Sequence, residues 1–150
     1  DGLEYQQGGH DLGGAGDGQL VVGVLVIEYG ARLGLHQQGG LGVQLDILHG
    51  PAQGKLLVVG WGGTYGHIWS AVSEMDNVSY AHFDYINPLP SNTEKVLNSF
   101  DKILVCELNS GQFADYLRAK FPHLEIHKFN KIQGQPFLVS ELEEAIKKEL

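Results

Sequence analysis

At 150 residues with a net charge of -8, the chain has room for one domain with a real core plus a tail. That charge argues against nucleic acid or an anionic membrane surface as its main partner. A single cysteine, Cys106, excludes an internal disulfide and a cysteine-built metal site and fits a reducing, cytoplasmic compartment. No apolar run approaches the roughly 20 residues of a bilayer-spanning helix, no signal peptide is visible, and a chain opening on Asp1 is expected to sit inside a longer protein.

Residues 1–50 lack Lys, Ser, Thr, Asn, Pro, Phe, Met, Cys and Trp, yet hold 14 of the 21 glycines. Leu20 to Glu28 and Leu41 to Leu48 have the apolar content of strands, but no Asn, Pro or Ser turn marks their ends. Two readings of 11–54 stand open. One is a glycine-rich, partly strand-forming linker; the other is a segment read out of frame, because local propensity, pattern and turn residues do not agree as they should in an evolved domain.

From Lys55 onward the pattern changes to strand alternating with helix. Leu56 to Gly60 is an apolar run of the kind buried on both faces in parallel sheets, and it enters a loop holding Gly60, Gly62, Gly63 and Gly66. Thr64 is placed to cap a helix that begins near Tyr65 and runs with Ile68, Ala71, Val72 and Met75 on one side. Val78 to Phe83 is a second strand, followed by an extended turn through Ile86-Asn87-Pro88-Leu89-Pro90. Ser91 or Asn92 is the expected cap of a short helix ending near Phe100. Lys102 to Glu107 is the third strand, Gln112 to Phe121 a helix with Phe113, Tyr116, Leu117 and Phe121 inward, and Leu124 to Phe129 an edge strand. Ser140, with Glu143 three residues on, is the expected capping box of the last helix. Short loops between alternating elements predict a three-layer α/β/α domain over 55–150 with a mostly parallel sheet.

In such sheets ligands and partners gather where the strands end. Four loops are expected there: Gly62 to Gly66, Phe83 to Pro90, Leu108 to Gln112, and Asn130 to Phe137. Gly60-x-Gly62 after a strand, with Asp84 further on, imitates a dinucleotide fingerprint, but the third glycine falls at 66 and Tyr65 stands in its place. A stand-alone Rossmann-like nucleotide-binding module using Gly60 to Gly66 is therefore the alternative reading. His123 and His127 share a side of their strand without an adjacent third ligand, so they read as solvated or hydrogen-bonded histidines. Cys106 would need His82 as base to be a nucleophile; within a strand it reads as a small core residue. Glu107, at a strand end, either accepts N–H bonds from the glycine loop or has a function of its own.

The segments Gly60 to Gly66 (GWGGTYG), His82 to Pro90 (HFDYINPLP), Val105 to Gln112 (VCELNSGQ) and Asn130 to Phe137 (NKIQGQPF) resemble, in order, the C-terminal domain of the alpha subunit of 2-oxoglutarate:ferredoxin oxidoreductases. These are 2-oxoacid:acceptor oxidoreductases, and the domain is similar to the transketolase C-terminal domain. Residues 1–10, DGLEYQQGGH, resemble the segment that closes the family's preceding pyrimidine-binding domain. The charged helical linker usual between the two has no counterpart in 11–50, Gly63 often stands as Ser in the family, and the helix before Val78 is short.

The resemblance implies an enzyme complex that converts 2-oxoglutarate and coenzyme A to succinyl-CoA and carbon dioxide, with electrons passing to ferredoxin. It implies thiamine diphosphate, Mg2+ and an iron–sulfur cluster in the whole complex, and none of them, nor any catalytic residue, in this chain. The chain's expected task is assembly with the upstream domain of its subunit and with the beta subunit. Gly62, Gly63, Thr64, Tyr65, Gly66, Asn109, Gly111, Gln112, Gln133, Gly134 and Gln135 are the expected interface or ligand-edge residues.

Overall fold

A computed structural model describes residues 43–150; the strand expected over 20–28 lies outside them. The strand expected over 41–48 is present as a three-residue piece, β1 (Ile47–His49). It is followed by β2 (Gly54–Trp61), a 3-10 turn over Gly62–Thr64, α1 (Tyr65–Val72), β3 (Ser79–Phe83) and α2 (Thr93–Leu97). Then come β4 (Phe100–Glu107), α3 (Gln112–Lys120), β5 (Ile126–Asn130) and α4 (Val139–Glu149). The sheet order is β1-β3-β2-β4-β5, with β1 antiparallel to β3 and every other pairing parallel. The α/β architecture with a mostly parallel sheet is as expected.

Alternation along the strands divides the core into two sides. Leu57, Val59, Ala81, Phe83, Ile103, Val105 and Ile126 meet Leu97 of α2 and Phe113, Ala114 and Leu117 of α3. On the other side lie Leu56, Val58, Tyr80, Leu104 and Cys106, all buried, with Ile68 of α1 and Leu142 and Ile146 of α4. β2 and β4 bury both faces because helices cover both, which is why they read as continuous apolar runs rather than alternating ones. Leu45, ahead of β1, is also buried in this core. Its backbone N–H donates to Asn92 Oδ1 at 2.6 Å and its carbonyl accepts from Asn92 Nδ2 at 2.9 Å.

That pairing corrects the expected cap of α2. The Asn92 amide is engaged by Leu45, and the Ser91 hydroxyl accepts from Gln44 Nε2 at 2.6 Å, so neither side chain caps the helix. α1 ends at Val72, leaving Met75 in the turn beyond it. Thr64 stands at the head of α1, but its hydroxyl donates back to the Trp61 carbonyl at 2.9 Å and caps nothing. α4 begins one residue before Ser140, and Glu141 rather than Glu143 reaches back, its Oε2 accepting the Leu138 N–H at 3.0 Å.

Candidate functional site

The chain leaves β2 toward β3 on one side of the sheet, and β4 and β5 lie on the other. The crevice between the ends of β2 and β4 is therefore the switch point where doubly wound sheets hold ligands. Here it is filled by the protein's own side chains. Glu107, the last residue of β4, is fully buried. Its Oε1 accepts from Trp61 Nε1 at 3.0 Å and from the Phe113 N–H at 2.8 Å, and its Oε2 accepts from the Ala114 N–H at 3.1 Å. Its backbone carbonyl accepts from the Lys131 N–H at 2.9 Å. The open alternatives for Glu107 thus resolve in an unforeseen way: the carboxylate binds the first turn of α3 and an indole, not the backbone of the glycine loop.

Phe113 packs beside this carboxylate, 4.9 Å from the Phe83 ring edge-to-face and 6.1 Å from the Trp61 ring. Free N–H groups at the start of a helix are a ready anion site. In α3 those of Phe113 and Ala114 are already bonded to Glu107, which leaves neither for a nucleotide phosphate.

The glycine loop divides by role. Gly60 is packed tight: a Cβ there would lie 2.4 Å from Ile68 Cδ1 and 2.8 Å from Thr64 Oγ1. Gly62 has φ of 62°, the left-handed region that glycine enters without steric penalty. At Gly62, Gly63 and Gly66 a Cβ would meet nothing within 4 Å. Gly62 and Gly63 face outward and Gly66 is half-exposed, but Thr64 and Tyr65 do not fulfil the expected contact role on the surface. Thr64 is buried against Trp61, and Tyr65 is buried among Trp69, Tyr80 and His82, because a short helix laid on the sheet turns its first residues inward.

The other expected residues sort in the same way. Asn109 Oδ1 accepts from the N–H groups of Gly111 and Gln112 at 2.7 and 3.0 Å, so Asn109 builds the turn into α3. Gly111 is buried at φ of 89°, beneath the Lys128 and Asn130 side chains. Gln112, Gln133, Gly134 and Gln135 are exposed. Charge is sparse across these loops: of residues 62–64, 84–92, 108–111 and 131–138, only Asp84 and Lys131 carry any. Large apolar side chains stand out instead, with Tyr85 and Leu108 each 39% exposed, Leu138 59% and Ile132 70%. Sequence reading missed Tyr85, Leu108, Ile132 and Leu138; for the first three the signal was an apolar residue within two positions of a strand end in a loop with few charges.

Cys106 and His82 cannot act together, because β2 lies between their strands. Burial, with Glu107 alongside, pushes the Cys106 thiol far up, so it stays protonated and inert. His82 Nδ1 lies 2.8 Å from the Tyr80 hydroxyl inside the core. His123 meets Asn98 Oδ1 at 2.9 Å, and His127 lies between Glu149 at 2.7 Å and Glu125 at 3.1 Å. Among the described residues no group of three or more His, Cys, Asp or Glu is arranged to hold a metal ion, and one cysteine cannot ligate an iron–sulfur cluster. No described helix is long and apolar enough to cross a membrane.

Sheet order, helices on both faces and a closed switch point define a doubly wound α/β domain that has filled its own ligand crevice. The particular likeness is to 2-oxoglutarate oxidoreductase subunits. The chain is 32% identical over 146 residues to the 2-oxoglutarate oxidoreductase subunit KorA of Mycobacterium tuberculosis, covering 94% of this chain and 22% of that protein. Its fold matches a 2-oxoglutarate:ferredoxin oxidoreductase from Magnetococcus marinus, solved with 2-oxoglutarate, coenzyme A and succinyl-CoA bound, at a TM-score of 0.65 and 19% identity. That match covers 73% of this chain and 20% of the other. The chain thus spans about a fifth of the length of the proteins it is similar to. No family model matches it. The resemblance carried by the four motifs is borne out by these relatives.

Proposed function

We propose that the chain is part of the alpha subunit of a 2-oxoglutarate:ferredoxin oxidoreductase and serves its assembly rather than its chemistry. The observation that carries this reading is the 32% identity to a 2-oxoglutarate oxidoreductase subunit, sustained over 146 residues. The closed switch point and the charge-poor, apolar-studded loops supply its structural side. Interface cores are depleted in charge and enriched in aromatic and apolar anchors, which is the composition of this edge.

In this reading residues 1–10 end a preceding thiamine-diphosphate domain, the glycine-rich stretch from 11 follows, and the sheet domain completes the piece. Its neighbours are that upstream domain and the beta subunit, with ferredoxin reached only through the complex. In the same reading thiamine diphosphate, Mg2+ and the iron–sulfur cluster belong to other parts of a cytoplasmic assembly. Gly62, Gly63, Gly66, Gln112, Gln133, Gly134 and Gln135 are the contact residues, beside Leu108 and Ile132.

The test pairs the full-length alpha subunit with its beta subunit and follows coenzyme A-dependent oxidation of 2-oxoglutarate with ferredoxin as acceptor. The pair is expected to turn over and the 150-residue chain alone to be inactive. Isothermal titration of the chain alone with NAD(H), FAD and coenzyme A is expected to be flat. Saturable binding of NAD(H) or FAD, lost in Gly62→Val, would overturn the assembly reading in favour of a nucleotide-binding module.

A further inference from the structure

Four loops form the edge where this domain is proposed to dock, and one side chain ties two of them together. Glu107 bonds Trp61, the residue that launches the glycine loop, through the indole N–H. It bonds Phe113 and Ala114, where the Leu108 to Gln112 loop ends, through two backbone N–H groups. Its own carbonyl receives the N–H of Lys131, where the loop after β5 begins. The fourth loop, after β3, is reached through the Phe113 ring, which packs on Phe83. The carboxylate's partners come from β2 and α3, so neither the glycine loop nor the Leu108 to Gln112 loop can shift without breaking a bond to it, while Lys131 is held by the main chain of β4.

A buried carboxylate satisfied by N–H donors is costly to leave half-bonded, because each orphaned partner loses water without gaining a replacement. A well-packed hydrophobic residue of similar size would hold β4 against α3 without that risk, but it would not fix the angle of the Trp61 ring. We propose that Glu107 is a positioning residue for subunit assembly: it holds the loops at Gly62 and Leu108 in one fixed arrangement that a partner subunit meets preformed. The proposal rests on the reading of this edge as the docking surface. Preformed loops spare a partner the ordering cost of binding, so their loss is read directly as weaker association.

The experiment uses the full-length alpha subunit and its purified beta subunit, with Glu107→Gln as the main variant. Glutamine keeps the size but presents one acceptor oxygen and an NH2 group, so at least one N–H at Trp61, Phe113 or Ala114 faces a donor. Amide exchange at Gly62 to Thr64, Phe113 and Ala114 is expected to speed up together, by roughly tenfold or more, with beta-subunit affinity falling by a similar factor. Trp61→Phe removes the indole donor alone and is expected to loosen only the glycine loop, which keeps the test alive if Glu107→Gln does not fold. Ile103→Val, a core change away from these loops, controls for lost stability and is expected to leave beta-subunit affinity unchanged. Unaltered affinity in Glu107→Gln, or exchange that rises at one loop only, overturns the positioning role. Leu108→Asp with Ile132→Asp separates the two ideas. If that pair leaves affinity unchanged, the docking edge itself is wrong. If it weakens binding while Glu107→Gln does not, only the positioning role falls.

Discussion

The two ends of the sheet solve the problem of facing outward in opposite ways. At the end where β4 and β5 begin, charges are dense and paired. Lys102 Nζ lies 3.2 Å from Glu149 Oε2 and donates to the Glu149 carbonyl at 2.9 Å, and His127 sits between Glu149 and Glu125. At the other end the loops are almost without charge, and what holds them lies mostly inside: Glu107, the rings of Phe83 and Phe113 with the half-buried Trp61, and Lys131, whose partner Glu141 is open to water. Ion pairs in water need no partner protein and cost little to form or break. A charge-poor surface with Ile132 70% exposed is a poor face to leave in water and a good one to bury. Stability at the first end should thus be shallow and salt-sensitive, and at the second steep and insensitive to salt.

The steepest test of that contrast is Phe113→Ala. The side chain is 2% exposed and touches three other rings, so its removal leaves a cavity as well as lost burial. Chemical denaturation should show a loss of about 3–5 kcal/mol, independent of salt. A loss under about 1 kcal/mol would mean that the ring seam does not hold this end together. Gly60→Val comes next. Its Cβ would lie 2.4 Å from Ile68 Cδ1 and 2.8 Å from Thr64 Oγ1, which forces α1 off the sheet at a cost of about 1–3 kcal/mol. Gly63→Ala, where a Cβ meets nothing within 4 Å, is its control and should change stability by less than about 0.5 kcal/mol.

Much of this was legible in the residues, for reasons that differ along the chain. β2 and β4 announce themselves because burial on two faces demands the runs LLVV and ILVC, which no surface element tolerates. β1 was blurred because it pairs on one side only and three residues carry almost no periodicity. The caps of α2 and α4 were misplaced because Asn92 and Ser140 have the right local chemistry, while in Asn92 a partner 47 residues away decides where the amide goes. Glu107 was visible as an odd residue in an apolar strand, but its donors come from 46, 6 and 7 residues away. Only the fold brings them together. Thr64 and Tyr65 show the converse: composition placed them in a surface loop, and the direction of a single helical turn put them inside.

At the charged end, Lys102→Met removes the cation from Glu149 while keeping most of the apolar stem. Both partners are partly exposed, at 26% and 20%, so the pair is screened and the loss should stay within about 1 kcal/mol. Raising salt from 0.05 to 0.5 M should shrink that difference further, since the Debye length falls to a few ångströms. The Phe113→Ala loss should not respond to the same change. Equal salt responses in the two variants would erase the distinction between the ends.

The finest test lies at a charged pair of the charge-poor end. Lys131, 9% exposed, donates to Glu141 Oε2 at 2.8 Å, and the same oxygen accepts the Leu138 N–H. The hydrogen bond from Lys131 first, and that from Leu138 second, hold the Glu141 carboxyl below the ordinary carboxylate range. A carboxylate depressed in the folded state binds fewer protons there than when unfolded. It therefore adds stability that is complete above its unfolded pKa and fades as pH falls through its folded one. Acid titration of the wild type should show this loss below the ordinary carboxylate pKa, and Glu141→Gln should flatten that part of the curve while leaving pH 6 to 8 parallel to wild type. The effect will be small, because Glu141 is open to water. Its place makes it informative: if the acid limb is unchanged in Glu141→Gln, then Lys131 is held by packing against β5 rather than by its partner, and this ion pair contributes nothing that burial does not already supply.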